Sequence, residues 1–109
     1  MLTRKTRSML SLSQRAGKIA VGERKCEMAL QSGDAALVII ASDASDNTKK
    51  KFEQKTFFYE TKCLETGTKE EIGSAIGRDG ISVVALKDQK MADQIIMEAI
   101  NTEVGGCQK

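Results

Sequence analysis

The 109-residue chain contains no histidine and no proline, and aromatic residues make up only 4% of it. Without histidine, neither a Ser/His/Asp set nor a histidine-containing metal site can be assembled. No G-x-G-x-x-G follows a strand-like run and no G-x-x-x-x-G-K-[ST] loop occurs, so the usual nucleotide cradles are missing too. The three cysteines, Cys26, Cys63 and Cys107, lack metal-ligand spacing, and their odd number suits a reducing cytoplasm better than a disulfide framework. No apolar run approaches the roughly 18 residues that would span a membrane, and the amino-terminal segment lacks the continuous apolar stretch of a secretion signal. The expected protein is therefore soluble, cytoplasmic and without membrane contact, cofactor or metal. The missing proline is unusual but points to no function.

What is present is an ordinary globular composition, 40% apolar and 29% charged, in a chain of one-domain length. Residues 1–104 are expected to form that domain and 105–109 a frayed tail. The net charge is only +2, but its distribution is uneven. Residues 1–22 carry Arg4, Lys5, Arg7, Arg15 and Lys18 with no acidic side chain, whereas all 15 Asp and Glu residues lie beyond them. Positive potential concentrated at one end of a chain suits a polyanion partner, although a solvated basic helix face would look the same.

The chain is organised around AGKIAVGERKCEMALQSG, residues 16–33. Ile19 and Val21 read as a short strand, Gly22 breaks it, and Cys26, Ala29, Leu30 and Gly33 recur at helical spacing. A helix is expected from Gly22 to Ser32. Its positive end favours Glu23 but disfavours Arg24 and Lys25 by roughly 0.3–1 kcal/mol each, so helix stability alone does not explain them. They are either solvated surface or contacts for an anion or a guanine edge.

Elsewhere, Arg4–Arg15 reads as a helix, Lys18–Val21 as a strand, and Ala36–Ala41 as a strand covered on both faces. Ser42–Ser45 forms a cap-rich turn before a lysine-rich segment, Asp46 to about Phe58, with Phe52 and Thr56 inward. Asp43 and Asp46 are expected to cap, and Lys49–Lys51 to form either a solvated face or an extension of a polyanion surface. A third strand is expected at Tyr59–Leu64. Thr68 and Glu71 have capping-box spacing for a short helix stopped by Gly77. Asp79-Gly80 signals a turn before a second buried strand, Ile81–Leu86. Asp88 caps a last helix whose inner face holds Ala92, Ile95, Ile96, Ala99 and Ile100. Cys26 and Cys63 read as small core residues rather than nucleophiles. Alternating strands and helices predict an α/β domain, a three-layer α/β/α sandwich around a small mixed four-stranded sheet.

Three strings, SMLSLSQRAGKIAVGE, LVIIASDAS with NTKKKF after it, and IGSAIGRDGISVVAL, resemble the bacterial YlxQ branch of the kink-turn RNA-binding ribosomal protein family, over about residues 4–100. The resemblance implies a non-catalytic, ribosome-associated RNA-binding sandwich. It implies that the start of the second helix reads tandem sheared G·A pairs, which places that contact on Gly22, Glu23, Arg24 and Lys25, with Lys18 just upstream. It also implies a loop over flipped-out bases, which falls on Ile76 to Ser82. There Ile76 and Ile81 would frame a platform, with Arg78 at its rim and Asp79, Gly80 and Ser82 completing the loop, unless both isoleucines belong to the core. Many family members carry Asn-Glu where this chain has Arg24-Lys25, a lysine where it has Met28, and further lysines at Ala20 and Val21. Two other readings stand beside this one. One is a ribosome-associated protein-interaction module that does not read kinked RNA. The other is a small enzyme for an anionic metabolite, with its site around Asp43 and Lys87-Asp88. The expected oligomeric state is a monomer.

Overall fold

The computed structural model describes residues 2–102, with side chains up to residue 99. Four of the five helices, α2 being the exception, start where the sequence supplies a side-chain cap. Helix α1 (Arg4–Arg15) begins after Thr3, whose hydroxyl accepts from the Thr6 N–H at 3.1 Å. Strand β1 (Ile19–Val21) leads through Gly22 into α2 (Glu23–Ser32), which ends on the left-handed Gly33. After β2 (Leu37–Ile40), Ser45 caps α3 (Asp46–Phe58). Strand β3 (Lys62–Glu65) is followed by α4 (Lys69–Ile76), where the expected Thr68/Glu71 capping box forms in both directions. Strand β4 (Val83–Leu86) leads into α5 (Gln89–Thr102), whose Lys90 N–H donates to the Asp88 carboxylate at 3.0 Å.

The sheet order is β1-β4-β2-β3, antiparallel except for the parallel β2–β3 pair. The two unbroken apolar runs, β2 and β4, take its centre, and all eight of their residues are buried. This is the sequence character of strands covered on both faces. Helices α2 and α3 pack together over one face, and α1 packs with α4 and α5 over the other. The result is the expected three-layer α/β/α sandwich with a mixed four-stranded sheet. Phe52, Leu10, Leu30, Ile72 and Ile95 fill the two helix–sheet interfaces and have essentially no exposure. Among the described residues no helix is long and apolar enough to cross a membrane.

Three boundaries differ from the sequence reading. Tyr59 belongs to no strand: it closes α3, its ring meeting Phe58 edge-on at 4.9 Å. Glu60 then turns left-handed at φ 56°, and the Thr61 N–H returns to the Thr56 carbonyl, so pairing starts only at Lys62. Ile81 also precedes its strand, because its N–H bonds to the Lys69 carbonyl of α4 rather than to a neighbouring strand. Asp43 caps, but not the helix beside it. Its Oδ1 accepts from the Lys69 N–H of α4 at 2.8 Å, leaving α3 to Ser45 and the first-turn Asp46. The side chain of Ile100, Cys107 and the expected frayed tail lie outside the described residues.

Candidate nucleic-acid interface

One end of the sheet gathers four pieces of the chain. The Gly22 N–H bonds to the Val83 carbonyl at 3.0 Å, the Ala41 N–H to the Ser82 carbonyl at 2.8 Å, and the Ser42 N–H to the Gly67 carbonyl at 2.7 Å. The starts of α2, α3 and α4 therefore lie side by side with the loop that precedes β4. Antiparallel pairing of β1 with β4 makes the end of one strand the neighbour of the start of the other, which joins two segments about 60 residues apart in sequence.

The three helix starts differ in how their free N–H groups are met. Those of α3 and α4 are capped by Ser45 and Thr68, with acidic residues in their first turns. Helix α2 begins at Gly22, which offers no side chain and makes no side-chain cap. Gly22 stands at φ 92° and ψ 163°, in the left-handed half of backbone space that a Cβ disfavours, and the space a Cβ would enter is open. The uncapped start is thus set in the surface, with Arg24 and Lys25 exposed beside it and Met28, 60% exposed, one turn on. Cys26 points the other way. It is fully buried, its thiol lies 3.5 Å from the Ala20 carbonyl, and burial, followed by Glu23 and Glu27, pushes its pKa to about 12. That makes it a core residue and not a nucleophile.

Glu23 is not free beside its basic neighbours. Its Oε2 accepts from the Thr48 hydroxyl at 2.9 Å and its Oε1 from the Lys51 ammonium at 3.3 Å. Lys51 also pairs with Glu27 at 2.6 Å. Hydrogen bonding to Glu27 and then to Glu23 raises the Lys51 pKa, and hydrogen bonding to Lys51 lowers that of Glu27. Of the lysine run, Lys49 pairs with Glu65 at 3.0 Å, and Lys50 faces solvent. The run divides into two tethered residues and one solvent-facing one, which a reading of consecutive charges does not anticipate.

The loop from Ile76 to Ser82 divides as well. Ile76 is 6% exposed and belongs to the core, the second of the two readings open for it, so it frames no platform for a base. Ile81 and Ser82 are half-buried, and the exposed tip is Gly77, Arg78, Asp79 and Gly80. The tip is laced down on α4, with the Arg78 N–H bonding to the Gly73 carbonyl at 2.8 Å and the Ile81 N–H to the Lys69 carbonyl at 3.1 Å. A Cβ on Gly73 would lie 2.6 Å from the Arg78 carbonyl oxygen, so this glycine is what allows the loop to sit so close.

Lys18 is not part of this end. Its carbonyl accepts from the Lys87 N–H at 2.9 Å at the opposite end of β1, about 13 Å from Gly22 at the usual rise per strand residue. Arg7 is further round, donating to the Ser74 hydroxyl of α4 at 3.0 Å. The alternative enzyme site also fails to assemble, because Asp43 follows β2 at one end of the sheet while Lys87 and Asp88 follow β4 at the other. Overlooked in the sequence are Thr48 and the pairing of Lys51 with α2, contacts that carry no local signal, and the exposed pair Phe57 and Phe58 at the far end of α3.

The sequence profile of the ribosomal protein L7Ae/L30e/S12e/Gadd45 family matches residues 4–96. The chain is 33% identical over 88 residues to the RNA-binding protein YlxQ of Bacillus subtilis, covering 81% of this chain and 88% of that protein. It is 38% identical over 74 residues to the Enterococcus faecium RNA-binding protein YlxQ, covering 68% and 72%. A solved structure of a Bacillus halodurans protein of unknown function superposes with a TM-score of 0.83 at 33% identity, covering 87% of this chain and 96% of the other. With the family profile matching residues 4–96 and two YlxQ relatives at 33% and 38% identity, the chain belongs to the L7Ae/L30e/S12e/Gadd45 family, in its bacterial YlxQ-like branch.

Proposed function

We propose that this protein is a non-catalytic, ribosome-associated RNA-binding protein that recognises a kink-turn or a related internal loop with sheared G·A pairs. The observation that carries the reading is the uncapped start of α2, where Gly22 leaves the first N–H groups of the helix without a side-chain cap beside the exposed Arg24 and Lys25. An A-form major groove is too narrow for side chains, but a sharp kink opens it. Arginine or lysine can then reach guanine O6 and N7, while the helix dipole favours phosphate. The tip Arg78-Asp79-Gly80, with Ile81 and Ser82 behind it, lies on the same end and would cover a base turned out of the bulge. Relatives that carry the name RNA-binding protein YlxQ support RNA as the partner.

The test is binding to a kink-turn RNA and to the same RNA with its G·A pairs replaced by Watson–Crick pairs. Arg24→Ala or Lys25→Ala should cost about 1–3 kcal/mol on the first and much less on the second. Equal losses on both would reduce the site to a general basic patch. Ribosome association that survives nuclease digestion, with no preference between the two RNAs, would favour a protein-interaction module instead.

A further inference from the structure

We propose that Lys51 and Thr48 of α3 are positioning residues for the helix-start site: they draw the carboxylates of Glu23 and Glu27 sideways onto α3, so that neither stands unpaired beside the Arg24, Lys25 and free N–H groups that the end of α2 presents to RNA. The inference rests on the RNA-binding role of the α2 start, with Arg24 and Lys25 as its contacts and Glu23, both of whose oxygens are engaged by α3, no longer among them.

The sequence sets up an electrostatic conflict. Glu23 and Glu27 lie four residues apart on one side of α2, next to the two cations assigned to the RNA. Two uncompensated carboxylates there would repel the phosphates that Arg24 and Lys25 attract. The fold resolves this from a different helix. Both oxygens of Glu23 are engaged, Oε2 by the Thr48 hydroxyl at 2.9 Å and Oε1 by the Lys51 ammonium at 3.3 Å. The same ammonium takes the Glu27 carboxylate at 2.6 Å. Thr48 is itself fixed, since its N–H donates to the Ser45 side chain at 3.2 Å and its hydroxyl accepts from that of Ser45 at 3.0 Å. Lys51 stands 5.8 Å from the centre of the fully buried Phe52 ring, which further limits where its stem can swing. Anchored at the capped start of α3, the clasp ties two acidic side chains to α3 and pairs their charge. In this arrangement Lys51 makes no phosphate contact of its own, although in sequence it is one of three consecutive lysines.

The two roles for Lys51 separate in one experiment with the full chain and a kink-turn RNA at low salt. Lys51→Met keeps the stem and removes the charge. A released carboxylate within about 6 Å of a phosphate should weaken binding by about threefold at the dielectric of water and by up to about a hundredfold at the effective dielectric of about 20 near a protein surface. Adding Glu23→Gln and Glu27→Gln to that variant removes the charges that the clasp restrains, and affinity should return to within about twofold of the native protein. If Lys51→Met weakens binding and the two glutamines do not restore it, Lys51 touches phosphate directly and the clasp is wrong. If Lys51→Met changes nothing, the clasp has no bearing on RNA. Melting temperatures measured alongside show whether a loss reflects folding, because a stability defect would not be repaired by the glutamines on RNA alone. Arg24→Ala on the same RNA separates the two levels of inference. Unchanged affinity would overturn the helix-start site itself and the clasp with it, whereas a loss there without rescue at Lys51 overturns only the clasp.

Discussion

Replacing Gly73 by alanine tests how the loop before β4 is held. In an exposed helix the substitution would stabilise by about 1 kcal/mol, the ordinary propensity difference. Here a Cβ would stand 2.6 Å from the Arg78 carbonyl oxygen and 3.0 Å from the Gly80 nitrogen, both backbone atoms that cannot rotate away. If the loop stays, the overpacking costs about 1–3 kcal/mol. If it lifts, it gives up the Arg78–Gly73 and Ile81–Lys69 hydrogen bonds, at about 0.5–1.5 kcal/mol each. Either way a loss of about 1–3 kcal/mol offsets the gain of about 1 kcal/mol in propensity, for a net destabilisation of up to about 2 kcal/mol. In a domain of this size that lowers the melting temperature by up to about 10 °C. Calorimetry measures the shift, and amide hydrogen exchange at Arg78 and Ile81 reports whether the loop has lifted. A Gly73→Ala protein as stable as the native one, with both amides still protected, would refute the claim that this glycine exists for the loop.

Two further predictions concern buried side chains. Ser13 is fully buried in α1, and its hydroxyl has no hydrogen-bond partner among the described residues, so Ser13→Ala should raise stability by about 1 kcal/mol; a loss of that size in chemical denaturation would show that the hydroxyl is satisfied after all. Cys26, with its pKa pushed to about 12, should resist alkylation at neutral pH in the folded protein and react only on unfolding. Because the folded thiol holds its proton more tightly than the unfolded one, this residue should make stability fall as pH rises from about 9 toward 12, and Cys26→Ala should flatten that fall.

Much of the architecture was legible because it rests on local rules. The two buried strands read as unbroken apolar runs, the capping box of α4 is a four-residue pattern, and Gly33 and Gly77 end their helices as left-handed stops. The change of period at Gly22 also located the helix start on which the proposed site depends. Where the reading slipped, a hydrogen bond to a helix had overruled a strand preference. Tyr59 is a good strand former but closes a helix, and Ile81 is tied to α4 instead of to a strand.

The sequence by itself determined the order of elements, the identity of the central strands, and the exposed cations at the start of α2, because each follows from periodicity, capping and side-chain chemistry within a few residues. Only the tertiary structure decided which charges remain available. Lys50 and Lys51 are adjacent in sequence, yet one faces solvent and the other pairs with Glu23 and Glu27 of a different helix. Lys18 and Gly22 are four residues apart but at opposite ends of a strand, whereas Gly22 and Val83 are far apart in the chain and hydrogen-bonded. The physical reason is that helix packing and strand pairing set distances that chain separation does not contain, and the reach of a salt bridge is a few ångströms in space.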